Sequence, residues 1–413
     1  MKYNTATLPS GLRIIHLPSH SSVVYCGYQI AAGTRDELVG EEGLAHLAEH
    51  MTFKGTRRRS ARQVVNAVES LGGELNAFTT KEDTTFYAAI GRVHLRQAID
   101  VLTDMVFCST YPQAELDKEI EVVCDEIESY NDTPAELIYD DFENLVFPNH
   151  PLGHNILGQA EQLRSYTHND VARFTSRHYR PGNAVFFAYG DVDFRRLVST
   201  LEKLVGNAEE GEGPVSKTAH SGKMPGLVAE AGSKVVRRLS THQAHVMVGT
   251  RAYGYGHPQR MALALLTNIL GGPGMNSRLN VALRERHGLV YTVEAVQVNY
   301  TDTGVWSVYF GCDPADVSRC LRLVYRELGR LTEKPLSAAQ LAAAKRQMRG
   351  QVMIACDNRE QAALDFAKLF LHHNITRDID DLLRKIDDVG ADVLYQTAQE
   401  LFAPDRLMTL IYQ

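Results

Sequence analysis

Two stretches of this chain, about 220 residues apart, read as copies of one pattern, and this echo constrains the fold more than any other feature. In the first, Asp83-Thr84-Thr85-Phe86-Tyr87-Ala88-Ala89-Ile90-Gly91 leads into a helix ending in Val101-Leu102-Thr103-Asp104-Met105. In the second, Asp302-Thr303-Gly304-Val305-Trp306-Ser307-Val308-Tyr309-Phe310-Gly311 leads into a helix through Leu321-Arg322-Leu323-Val324-Tyr325. Ala114-Glu115-Leu116 and Ala339-Gln340-Leu341 each open a further helix, and Asp141-Phe142-Glu143-Asn144-Leu145-Val146-Phe147 is echoed by Asp365-Phe366-Ala367-Lys368-Leu369-Phe370-Leu371. A period this long indicates duplicated domains, since solenoid repeats run only roughly 20–50 residues.

Between Gly206 and Gly232, six glycines with Pro214 and Pro225 replace the periodic hydrophobics, which marks a linker. The expected organisation is a first domain over 1–205, a linker over 206–232 and a homologous domain over 233–413. β-branched and aromatic runs predict strands at 11–16, 22–30, 75–78 and 84–90. Helical spacing predicts helices around 46–51 and 61–71, at 95–107 and from 113 to about 130. The predicted class is α+β: two similar domains, each a mainly antiparallel sheet packed with helices.

A formal charge of −7 over 413 residues argues against a nucleic-acid binder, which needs a basic surface. Hydrophobic residues at 44% and charged residues at 23% are those of a folded globular chain. Six cysteines stand without a C-x-x-C pair and read as thiols of a reducing compartment. With no signal-peptide core near Met1 and no long apolar run, the expectation is a cytoplasmic protein without a membrane segment.

The chemistry concentrates in His46-Leu47-Ala48-Glu49-His50, an H-x-x-E-H sequence inside a helical pattern. Positions i and i+4 share a helix face, so two imidazoles can converge on one metal while Glu49 lies beside them to take a proton from water. With 16 histidines in the chain the pattern arises by chance in on the order of 4 of every 100 such chains, so a third ligand is what gives it weight. Glu126 is the candidate, on a helix whose Ile120, Val123, Cys124 and Ile127 define one apolar face. Glu119 lies two turns earlier and could hold a ligand histidine. Acidic residues on helices more often face water, and spacing alone leaves that alternative open.

The chain resembles the pitrilysin and mitochondrial-processing-peptidase family of metallopeptidases, whose signature is the inverted motif H-x-x-E-H followed by a distant glutamate. His50 and Glu126 are 76 residues apart, and Gly43-Leu44-Ala45, Phe53-Lys54-Gly55-Thr56 and Leu75-Asn76-Ala77-Phe78-Thr79-Thr80 also fit. The resemblance implies one Zn2+ per chain bound by His46, His50 and Glu126, with Glu49 as general base and Glu119 as support for a ligand histidine. It implies that an extended peptide adds to an edge strand at Asn76, Ala77 and Phe78, and that Arg284 and Tyr291 bind substrate and stabilise the oxyanion. The implied activity is zinc-dependent endopeptidase action on short or unfolded polypeptides. A chain with two such domains is half of the family's four-domain clamshell, which implies a homodimer with each site completed in trans. The alternatives are a non-catalytic peptide-binding or core subunit, and a peptidase active only with a different partner chain.

In the second half Leu263, Leu266 and Thr267 stand where His46, Glu49 and His50 stand in the first, with Gln351 opposite Glu126 and Ala344 opposite Glu119. Only the first half is expected to bind metal. His150 and His154 are separated by Pro151 and Gly153, which disfavours a helix and hence a second metal site. His372 and His373 read as surface residues, Gly271-Gly272-Pro273-Gly274 as a turn allowing close chain approach, and Trp306 as core.

Overall fold

The computed structural model describes residues 2–206, 232–239 and 241–413. The expected linker therefore lies, from 207 to 231, outside the described residues. The first sheet contains β1 (Asn4–Thr7), β2 (Arg13–Pro18), β3 (Val23–Ile30), β4 (Glu74–Thr79), β5 (Thr84–Gly91) and β6 (Ala184–Gly190), in the order β1-β2-β6-β3-β5-β4. The second contains β7 (Lys234–Arg237), β8 (Ala244–Ala252), β9 (Val290–Asn299), β10 (Gly304–Cys312) and β11 (Met408–Tyr412), in the order β7-β11-β8-β10-β9. Without β1 the two orders are the same, and each sheet has one parallel pair in the same place, β2 with β6 and β7 with β11. All other pairs are antiparallel. This is the duplicated, mainly antiparallel α+β architecture that the internal echo predicts.

Five helices of the first half are α1 (Leu44–Thr52), α2 (Ala61–Glu69), α3 (Leu95–Cys108), α4 (Gln113–Asn131) and α5 (Pro134–Val146). Both faces of the inner strands β3, β5 and β6 are largely buried, so these strands are mostly apolar. Val24, Cys26, Tyr28, Phe86, Ala88 and Phe186 pack on one face against α1 and α3. On the other face Ile15, Tyr87, Val185 and Phe187 meet Ala363, Phe366 and Phe370 of the helix Arg359–His373. In the second sheet Met247, Val305 and Tyr309 meet Ile138, Phe142 and Val146 of α5.

The compact units consequently differ from the contiguous halves 1–205 and 233–413. Of the described residues, the first unit comprises 2–129, 154–206 and 356–378, and the second 130–153, 232–239, 241–355 and 379–413. The sequence halves exchange one helical segment each, α5 for Arg359–His373. These are the segments that echo one another around Asp141 and Asp365, so each duplicated half covers the outer sheet face of the other unit. The physical reason is that a sheet with two apolar faces needs a helix on both, and sequence does not say which half supplies the second.

His372 corrects the expectation of a surface residue. Its side chain is 6% exposed, and its Nε2 lies 3.1 Å from the fully buried carboxylate of Asp83. Neighbouring helix positions point about 100° apart, so adjacency of two histidines does not keep both in water. Among the described residues no helix is long and apolar enough to cross a membrane.

Candidate metal centre

In α1, Leu44, Ala45, Leu47, Ala48 and Met51 are locked into the core of the first unit, which leaves His46, Glu49 and His50 together on the remaining face. The rings of His46 and His50 meet edge to face with centroids 4.5 Å apart. Glu126 reaches them from α4, its Oε2 lying 3.9 Å from His46 Nε2 and 3.6 Å from His50 Nε2. One donor atom from each of the three lies within 4.8 Å of the others, and among the described residues this is the one such cluster. Zinc with nitrogen and oxygen ligands at about 2.0–2.1 Å separates its donors by about 3.4 Å. The separations of 3.6 and 3.9 Å from the Glu126 oxygen are close to this, and two imidazoles with a carboxylate are a donor set that fits zinc.

Burial, reinforced by the nearby His50, lowers the His46 pKa to about 3, so its imidazole is neutral and able to coordinate. Its Nδ1 is buried without a hydrogen-bond partner, and Nε2 is the nitrogen that faces Glu126. His50 differs: its Nδ1 lies 2.9 Å from Glu119 Oε1, so Nδ1–H donates to the carboxylate and Nε2 is left for a metal. Burial opposes charge on His50, yet the bond to Glu119 and the charges of Glu49, Glu119 and Glu126 raise its pKa above the ordinary value. Glu119 is itself buried, and Lys54 Nζ holds its second oxygen at 2.5 Å. Burial would raise the Glu119 pKa, but the bonds from His50 and Lys54 hold it below the usual carboxylate value.

Glu49 is buried and does not belong to the donor cluster. Its Oε2 accepts a 2.6 Å hydrogen bond from the hydroxyl of Thr79, the last residue of β4. Burial raises its pKa, the Thr79 bond and His50 oppose this, and the charge of Glu126 adds to it.

Sequence reasoning missed the groups that seat α1. The helix begins at Gly43, which has φ of 86° and no side chain to cap the first turn. The Glu37 carboxylate substitutes, accepting from the Gly43 N–H at 3.1 Å and the Ala45 N–H at 2.7 Å. His154 Nε2 holds the same carboxylate at 2.8 Å, so His154 supports the helix that carries His46 and His50. A Cβ at position 43 would lie 2.7 Å from the Leu157 carbonyl oxygen, so the start of α1 can approach this segment only through glycine. His150 is engaged separately, its Nδ1 accepting from the Leu152 N–H.

A family profile described as Insulinase (Peptidase family M16) matches residues 14–160, and one described as Peptidase M16 inactive domain matches residues 165–348. The "uncharacterized zinc protease YmxG" of Bacillus subtilis is 31% identical over 409 residues, covering 98% of this chain and 97% of that protein. The chain belongs to peptidase family M16. Among other M16 relatives, the bovine mitochondrial-processing peptidase subunit beta is 30% identical over 397 residues, 94% of this chain and 79% of that protein. A solved structure of a protease from Helicobacter pylori shares the M16 fold with a TM-score of 0.88 at 22% identity, over 100% of this chain and 99% of that one.

The second unit of this M16 chain carries no metal ligands at the corresponding positions. Leu263, Leu266 and Thr267 are buried in the helix Arg260–Gly271, and Thr267 Oγ1 accepts from the Trp306 indole at 3.1 Å. Trp306 is core, as expected. Gly271 is a point of close approach, since a Cβ there would meet the Ala295 nitrogen at 2.4 Å. Arg284, half-exposed on the π-helical turn Asn280–Glu285, and Tyr291, 84% exposed at the start of β9, belong to this second unit. The structure thus places them in a different unit from the metal ligands. Asn76, Ala77 and Phe78 lie on β4, the terminal strand of the first sheet.

Proposed function

We propose that this chain is a zinc-dependent endopeptidase acting on short or unfolded polypeptides, with one zinc ion held by His46, His50 and Glu126. The observation that carries this reading is the convergence of two imidazoles and a carboxylate beside a second carboxylate, Glu49, that lies outside the donor cluster. Zinc bound there would supply a Lewis acid for water and for the scissile carbonyl. Glu49, raised in pKa by burial and aimed by Thr79, takes a proton from the attacking water and returns it to the leaving amine. Glu119 and Lys54 hold His50 in the tautomer that presents Nε2. An extended peptide adds to the free edge of β4 at Asn76, Ala77 and Phe78, so backbone hydrogen bonds favour unfolded substrates. Names such as zinc protease among its relatives support the same reading.

The test is metal content together with cleavage of a quenched peptide by the purified chain. About one zinc per chain, and cleavage abolished by chelator and restored by zinc, are expected. Metal-free protein, or cleavage indifferent to chelator, overturns the proposal.

We further propose that the chain works as a homodimer in which Arg284 and Tyr291 complete the site of the other copy and stabilise the oxyanion. A cation and a phenol donor are suited to that charge. Mixing Glu49→Gln chains with chains carrying Arg284→Ala and Tyr291→Phe should restore activity, to about a quarter to a half of wild type if half the mixed sites are intact. Absence of recovery from verified mixed dimers excludes completion in trans.

A further inference from the structure

The two histidines of the metal centre are held in different ways. His50 has its ring fixed by Glu119, which is fixed in turn by Lys54. A ligand histidine ordinarily donates its second ring nitrogen to a carboxylate or carbonyl in this manner, and the bond sets both tautomer and ring direction. His46 has no such bond, since its Nδ1 is buried without a partner. Its ring is therefore placed by the backbone that carries it and by the walls around it.

That backbone is the first turn of α1, where Leu44, Ala45 and His46 are the opening residues. The opening N–H groups of a helix have no partner within it, and Gly43 has no side chain to offer one. The Glu37 carboxylate spans this turn, with one oxygen on the Gly43 N–H and the other on the N–H of Ala45, the residue next to His46. Its negative charge also suits the positive end of the helix.

Glu37 comes from outside the helix, and two further residues fix it. Its side chain is 1% exposed, with His154 Nε2 at 2.8 Å from Oε2. The carbonyl of the same His154 accepts from Nζ of Lys81, which is buried in the turn between β4 and β5. The Lys81 carbonyl in turn accepts from the Arg35 N–H at 2.8 Å, two residues before Glu37, and Glu82 pairs with the Arg35 side chain at 2.6 Å. The turn after β4 and the loop bearing Glu37 are thus tied together at the start of α1.

We propose that Glu37 is the positioning residue for His46, acting through the backbone as Glu119 acts on His50 through the ring, with His154 and Lys81 holding Glu37 in place. This inference rests on the zinc reading of the site and names the residues that set its affinity for the metal.

The test reads zinc affinity, by competition between the full-length chain and a chromogenic chelator. Glu37→Ala should bind zinc about 10–100-fold more weakly than wild type, the usual effect of losing a group that orients a metal ligand. His154→Ala should weaken binding in the same direction and by less. The control is Asp193→Ala, which removes the carboxylate that accepts from the Arg195 and Arg196 N–H groups at 3.1 Å and caps the helix Phe194–Val205 of the same unit. It loses a comparable cap and should bind zinc as the wild type does. Wild-type affinity in Glu37→Ala overturns the proposal, as does an equal loss in Asp193→Ala, which would assign the effect to general loosening. If Glu37→Ala does not fold, Glu37→Gln takes its place. Its one carbonyl oxygen keeps one of the two N–H bonds, and a loss of about fivefold is expected, with no loss overturning the proposal. A wild-type chain that takes up no zinc overturns this proposal and the metal reading together. Zinc uptake without peptide cleavage overturns the endopeptidase reading alone, and the Glu37 measurement then still decides this one.

Discussion

Glu49→Gln is expected to lower kcat for peptide hydrolysis by about 10²–10⁴-fold while zinc stays bound. The substitution is nearly isosteric, and a glutamine oxygen at the same place still accepts the Thr79 hydroxyl, which fixes Oε2 of Glu49 at 2.6 Å. What disappears is the proton acceptor. Because Glu49 lies outside the cluster formed by His46, His50 and Glu126, the metal should not follow it. The loss should therefore fall on kcat, with KM and zinc content near wild type, since an interaction used only in the transition state has been removed. Zinc analysis of the dialysed variant beside its steady-state kinetics decides the matter. A variant that has lost its zinc would make Glu49 a ligand or a structural group, and one that retains full kcat would place the base elsewhere.

The part of this site that could be read in the sequence is the part governed by local geometry. His46 and His50 share a helix face by spacing alone, and the buried residues between them select that face. Glu126 and Glu119 needed the family pattern, because a helical period says which residues are neighbours but not what another helix faces. Thr79, Glu37, Lys54 and His154 went unread for a related reason. Their contacts with Glu49, the start of α1 and Glu119 depend on how β4, α4 and the loops pack, and nothing periodic in sequence marks them. The exchange of α5 and Arg359–His373 has the same origin. Each segment announces an apolar stripe, and the identity of the sheet it covers is a tertiary choice. The echo of Asp141–Phe147 in Asp365–Leu371 marked the two segments as equivalent without showing that they trade places.

The exchanged helix has its own anchor, and breaking it should be the most damaging change away from the metal centre. Asp83 lies fully buried beside β5, where its carboxylate accepts from Gln29 at 3.2 Å and pairs with Lys368 and His372 of the helix Arg359–His373. Burial alone would raise its pKa, but the His372 bond and the Lys368 charge hold it well below its ordinary value of 3.8. Asp83→Asn removes that charge and leaves Lys368 and His372 facing a neutral amide in place of the buried carboxylate. The cost at neutral pH should be about 3 kcal/mol, typical of removing one member of a buried pair. Its pH dependence identifies the cause. A carboxylate with a lowered folded pKa contributes its full stability above the unfolded value and loses it as pH falls toward the folded one. The gap in urea midpoint between wild type and Asp83→Asn should therefore hold constant from neutrality down to about pH 5, then narrow progressively below about pH 4. A gap that persists unchanged to pH 2.5 would assign the loss to packing, and no gap at pH 7 would show that the helix is held without this charge.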